Sequence, residues 1–161
     1  MRKLAIRLSR LNTFVFIVGT YLFCTLLSFA ANALKSWLGD IEFTNPQFDK
    51  SGTISMFVVA VILAPIFETL VFQKLPYCIG MRFRFFRKHI WVLASIAGLL
   101  FAVNHYYSLF YMIQTFWIGF LFLYIYVIRR KREPFWTVAL IHMIHNLVIW
   151  IVDLVEKGFR W

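Results

Sequence analysis

Charge is scarce in this chain. Asp, Glu, Lys and Arg make up 15% of its 161 residues, and only seven of them are acidic. Cysteine is scarcer still: Cys24 and Cys78 stand far apart with no C-x-x-C spacing, which excludes a cysteine-built metal site and leaves two structural thiols. No internal repeat and no low-complexity segment interrupts the chain. What it has in abundance is apolar surface. Hydrophobic residues reach 61%, aromatics 20%, and the mean hydropathy is +0.75, against about 45–50% apolar usage in soluble domains. A soluble domain of this length cannot hide that much, so the class is an all-α, polytopic membrane protein in one domain.

Five apolar runs are long enough to count as spans, at residues 11–34, 53–75, 90–107, 109–128 and 135–155. The first ends in Ala31-Asn32-Ala33, which looks like a signal-peptidase site after a basic start. Its apolar part is longer than a signal core, so a retained helix is expected. Residues 35–52 read as a polar loop with turn signals. The net charge of +10 would suggest nucleic acid in a soluble protein, but here the basic residues cluster between the spans. Four lie in residues 1–10, five in 74–88 and four in 129–132, so 13 of the 17 fall on one side. The positive-inside rule then places the N-terminus in the cytoplasm and the C-terminus outside. The interleaved Phe and Arg of residues 82–88 read as a collar at the lipid headgroups, with no nucleic-acid partner. Trp91 and Trp136 near the inner boundary, and Trp37 near the outer one, suit an aromatic belt.

Inside these runs a few polar residues stand out. Glu68 sits in Ala64-Pro-Ile-Phe-Glu-Thr-Leu-Val-Phe-Gln73, where a carboxylate costs roughly +2.5 to +3.5 kcal/mol on insertion scales and marks a functional site by default. Pro65 removes a backbone donor just before it and opens or kinks the helix. His105 ends Phe101-Ala-Val-Asn-His105, and His142 and Asn146 bracket His142-Met-Ile-His-Asn146. Residues four apart share a helix face, and intramembrane polar groups face the bundle interior and pair. Two kinds of chemistry are open to this set. Glu68, His105 and His142 are of the types that ligate zinc with a water position left free. Alternatively, Glu68 is a general base for water, oriented by His105, while His142 and Asn146 stabilise an oxyanion. Both lead to amide hydrolysis. A non-catalytic membrane scaffold and a proton-coupled transporter built on the same residues are the competing readings. His89 and His145 read as structural, and Asn104 either as interhelical polar glue or as a group that supports the site from behind.

The ordered set resembles the CAAX proteases and bacteriocin-processing enzymes, the CPBP or Abi intramembrane proteases. Their signature is Glu-Glu-x-x-x-Arg, then Phe-x-x-x-His, then His-x-x-x-Asn, on separate transmembrane helices. Phe101 to His105 and His142 to Asn146 match in full; the first motif keeps Glu68 but has Thr69 for the second Glu and Gln73 for the Arg. The resemblance implies Glu68 as the catalytic carboxylate, with Thr69, Gln73 and Phe101 supporting. It further implies cleavage of a membrane-associated peptide or protein, by a zinc or a metal-free glutamate mechanism. The short chain looks like a bacterial minimal form in the inner membrane, of the bacteriocin self-immunity type, for which a prenylated substrate is not expected. Thr and Gln together suggest a matched neutral exchange, hence an active variant. One difficulty concerns register. At 1.5 Å per residue, Glu68 lies roughly 8–9 Å and His142 about 10 Å from the predicted inner ends of their spans, but His105 roughly 22 Å. A shared site therefore requires the third span to begin well outside the bilayer.

Overall fold

The structure is a computed structural model that describes residues 2–38, 53–106 and 108–156. The predicted polar loop beyond Leu38 and the tail from Lys157 lie outside the described residues, as does Tyr107. Every described element is helical. A short amphipathic helix, α1 (Arg2–Arg10), precedes α2 (Thr13–Leu38). Helix α3 occupies residues 53–80, and a five-residue helix, α4 (Arg84–Lys88), follows it. Then come α5 (Ile90–Val103), α6 (Leu109–Ile128) and α7 (Pro134–Glu156). Four stretches are long and apolar enough to cross a membrane: Thr13–Ala30, Phe57–Gly80, Leu109–Ile128 and Pro134–Val152. Helix α5 is apolar but shorter.

Many large apolar side chains face outward, Phe14, Phe29 and Leu109 among them. That is the pattern of a bundle solvated by lipid rather than water, in which close packing and internal polar contacts, not burial from water, hold the helices together. Two buried clusters meet at α6. Phe122, Ile125 and Tyr126 pack with Phe16, Ile17 and Cys24 of α2 and with Val138 and Ile141 of α7. Leu123 packs against Leu93, Ala94 and Ala97 of α5. The α5–α6 hairpin is close because two glycines meet in it. A Cβ on Gly119 would lie 3.1 Å from the Cα of Gly98, and one on Gly98 would lie 2.6 Å from the Phe116 carbonyl oxygen. Small residues at such a crossing let backbones approach, and Phe101 is thereby held over α6.

Helix α3 is irregular in a patterned way. Thr53–Met56, Ala64–Glu68 and Leu75–Gly80 are α-helical, while Phe57–Leu63 and Thr69–Lys74 are π-helical. Each π stretch is followed by a proline at the second residue of the next α stretch, Pro65 and Pro76. Proline has no N–H, so it breaks the i→i−4 ladder where it stands, and a wider turn before it is a natural accommodation. π-Turns inside helices are rare and concentrate at functional sites.

Helix α3 also continues to Gly80 instead of stopping near residue 75. Lys74, which reads as a boundary charge, has its ammonium 5.6 Å from the centre of the Phe135 ring. The extension bears on the register of the site: Glu68 is twelve residues from Gly80, roughly 18 Å along the axis, comparable with the roughly 22 Å from Ile90 to His105.

Candidate functional site

Glu68 stands at the junction between the middle α-helical turn of α3 and its second π stretch. Its Oε1 lies 4.0 Å from Nε2 of His105, and its Oε2 lies 3.6 Å from Nε2 of His142. The three side chains come from different segments, α3, the turn after α5, and α7. Their side chains are 15%, 14% and 7% exposed: the carboxylate and His105 keep a narrow opening, and His142 is nearly enclosed.

His105 is fixed by its own motif. Its Nδ1 donates to the Phe101 carbonyl at 2.8 Å. A carbonyl can only accept, so the proton is on Nδ1, and Nε2 turns a lone pair toward Glu68. The Phe101 ring is buried and stacks at 4.5 Å on His105, 5.9 Å from His142 and 5.5 Å from Phe72. One residue thus orients both imidazoles, the first through its carbonyl and the second through its ring. Phe122 closes the other side of His142 at 5.2 Å. Tyr111, which carries no motif in the sequence, sits edge-on to His105 at 5.8 Å.

Asn146 is tied elsewhere. Its Nδ2 donates to the carbonyl of Ala60 at 2.8 Å, in the first π stretch. In an i→i+5 pattern that carbonyl would bond the N–H of residue 65, and residue 65 is a proline. Asn146 thus supplies the donor that Pro65 lacks. One turn of α7 carries both this bond and His142, so the bond fixes where α7 sits beside the turn that presents Glu68. From sequence, Pro65 and Asn146 were both visible, but nothing in their spacing joined them.

Thr69 and Gln73 are fully buried. Among the described residues, the Thr69 hydroxyl, both amide atoms of Gln73 and Nδ1 of His142 have no hydrogen-bond partner. His145 is half-buried on α7, His89 is exposed beside the collar, and Asn104 is exposed in the turn after α5.

For zinc, the donor types are suitable and the spacing is wider than a zinc shell. Ligands at 2.0–2.1 Å in a tetrahedron stand about 3.4 Å apart, and the two carboxylate–imidazole pairs here are 3.6 and 4.0 Å apart. Among the described residues, no group of three His, Cys, Asp or Glu is placed to hold a metal ion. As placed, the trio stands wider than a zinc shell.

The helical bundle is that of an integral membrane protein, with a carboxylate–imidazole centre between its helices. A family model described as type II CAAX prenyl endopeptidase, Rce1-like, matches residues 50–148. The chain belongs to this CAAX protease family, and the matched span encloses Glu68, His105, His142 and Asn146. No curated protein and no solved structure matches the chain.

Proposed function

We propose that the protein is an intramembrane endopeptidase in which Glu68 activates water against a peptide bond of a membrane-associated substrate. The observation that carries this reading is the convergence of His105 and His142 on the two oxygens of one carboxylate. Both gaps exceed a direct hydrogen bond, and a bridging water spans such a gap with two bonds of its own. A water between Glu68 and His105 donates one proton to the carboxylate and the other to the free lone pair on His105 Nε2. Its oxygen lone pair is then aimed at the scissile carbonyl. As the new C–O bond forms, Glu68 takes the water proton. His142 donates to the developing oxyanion. When the C–N bond breaks, Glu68 returns the proton to the leaving amine. Phe101 and Asn146 act as positioning residues, Asn146 through the Ala60 carbonyl. No step runs through a metal.

Thirteen of the 17 basic residues lie in residues 1–10, 74–88 and 129–132, an asymmetry that supports a cytoplasmic N-terminus; the membrane is taken to be a bacterial inner membrane. The family description points to prenylated peptides; an unprenylated membrane-associated peptide is the other candidate. Either presents a peptide bond at the membrane surface.

The test compares membrane proteins by mass spectrometry in cells carrying wild-type or Glu68→Gln protein at equal levels. Loss of a general base lowers such rates by roughly 10²–10⁴-fold, so specific cleavage products should vanish with the variant. Identical peptides, with cellular function intact, would instead establish a non-catalytic scaffold.

A further inference from the structure

Helix α1 plays no part in the proposed chemistry, yet it is held with care. It carries Arg2, Lys3, Arg7 and Arg10 and no acidic residue. Its leucines recur at positions 4, 8 and, just past its end, 11, on one helical face. Leu8 packs against the cluster of Phe16, Phe122 and Tyr126. Leu4, one turn away on the same face, is 61% exposed, and Arg7 and Arg10 are exposed on other sides. The helix does not run on into α2. The chain breaks at Leu11 and Asn12, and the Asn12 side chain accepts from the Phe14 N–H to start α2 afresh.

The break is clamped from α6. Arg129, fully buried at the end of that helix, donates to the Leu11 carbonyl at 2.9 Å and to the Thr13 hydroxyl. Its guanidinium also lies 4.8 Å from the centre of the Phe16 ring. Arg132 donates to the carbonyls of Arg10 and Leu11. A buried arginine used to fix a helix junction, rather than to pair a carboxylate, sets the direction in which α1 leaves the bundle.

We propose that α1 is an interfacial helix that docks on anionic phospholipid headgroups, with Leu4 and Leu11 in the acyl boundary and Arg7 and Arg10 among the phosphates. Charge complementarity selects this occupant. Exposed Arg84, Lys88, Arg130 and Lys131 lie at the same end of the bundle, and basic amphipathic helices bind such surfaces by apolar insertion plus attraction to anionic lipid. Each Lys or Arg near the surface strengthens the attraction roughly fivefold. The inference rests on the membrane-spanning fold and is independent of the chemistry proposed for Glu68.

The test uses the full-length protein with Cys78→Ser, leaving buried Cys24 in place, and an environment-sensitive fluorophore attached through Leu4→Cys. It is reconstituted in phosphatidylcholine vesicles with or without phosphatidylglycerol. The expected result is a blue-shifted emission and weaker aqueous quenching in the anionic vesicles. Arg7→Gln with Arg10→Gln should abolish most of that difference, as should molar salt, which shortens the Debye length to about 3 Å. A reporter at Phe29→Cys in α2 should show the same spectrum in both vesicles and in the double variant, which certifies the fold. A Leu4 reporter blind to lipid charge, or a response that survives loss of both arginines, would overturn the proposal.

Discussion

Replacing Asn146 should cost stability, and replacing Pro65 should refund most of it. The Asn146 amide donates to the Ala60 carbonyl at 2.8 Å, where Pro65 has no N–H to offer. Removing the amide with Asn146→Ala leaves a half-buried carbonyl without its partner between the helices. An unsatisfied buried backbone acceptor costs about 1–3 kcal/mol. Loss of the side chain's own packing adds to this, so about 2–3 kcal/mol is expected for the single variant. Pro65→Ala restores a backbone N–H within reach of the Ala60 carbonyl or its neighbour Val61. On that background the same Asn146→Ala change should cost roughly 1–2 kcal/mol less, well inside the range of couplings between residues that share a partner. The assay is a double-mutant cycle of denaturant unfolding in detergent, read by tryptophan fluorescence, beside the rate of substrate cleavage. The variants should also separate in function. Asn146→Ala lets α7 shift against the π-turn, widening the Glu68–His142 gap and lowering the rate, and Pro65→Ala should recover part of it. Strictly additive stabilities would refute the idea that Asn146 replaces the proline's donor.

Three further outcomes follow from the same geometry. Gly98→Ala puts a Cβ 2.6 Å from the Phe116 carbonyl oxygen, so α5 and α6 must part. A loss of about 1–3 kcal/mol should appear in unfolding curves, with activity falling as Phe101 and His105 move with α5. Thr69→Glu or Gln73→Arg alone buries an unpaired charge at a fully enclosed position and should cost about 3–5 kcal/mol, measured as lost folded yield or a lower unfolding midpoint. The two together should recover much of that loss, whereas equal and additive losses would show that the positions do not face each other. Finally, extended dialysis against a zinc chelator should leave cleavage unchanged, since no step is assigned to a metal; activity that disappears and returns on adding zinc would overturn the glutamate mechanism.

Much of the bundle was legible because the apolar runs are long and the charges between them are nearly all basic. Helix α6 coincides with its predicted run because Ser108 caps its start, accepting from the Tyr111 N–H, and Arg129 stands just past its end. The limits of α3 and α5 were not legible, and for a shared reason. Hydropathy marks where lipid is favourable, whereas helix ends depend on backbone bonding. Lys74 lies inside α3 because an aromatic ring on α7 receives its charge. His105 falls past the end of α5 in a turn, yet its Nδ1 finds the Phe101 carbonyl one turn back, so the helical spacing of the motif outlives the helix. With α3 followed to Gly80, Glu68 lies roughly 18 Å from that end of its helix, comparable with the roughly 22 Å from Ile90 to His105.

The site itself was legible as a set of residues but not as a division of labour. Sequence pairs His142 with Asn146 because they share a face, and a shared face suggests a shared task. The structure sends them to different partners, His142 to the Glu68 carboxylate and Asn146 to a backbone carbonyl in the π-turn eight residues before it. The Ala-Pro that precedes the carboxylate then has a physical reason: it creates the orphan carbonyl that Asn146 grips. The neutral pair can be read the same way. Thr69 and Gln73 are both fully enclosed, and at such positions one charge alone is untenable while none or a matched pair is not. A change at either site therefore constrains the other, whatever the chemistry at Glu68. Departure from the charged motif is thus a statement about what the enclosed positions of α3 tolerate, and Glu68 still has both imidazoles turned toward it.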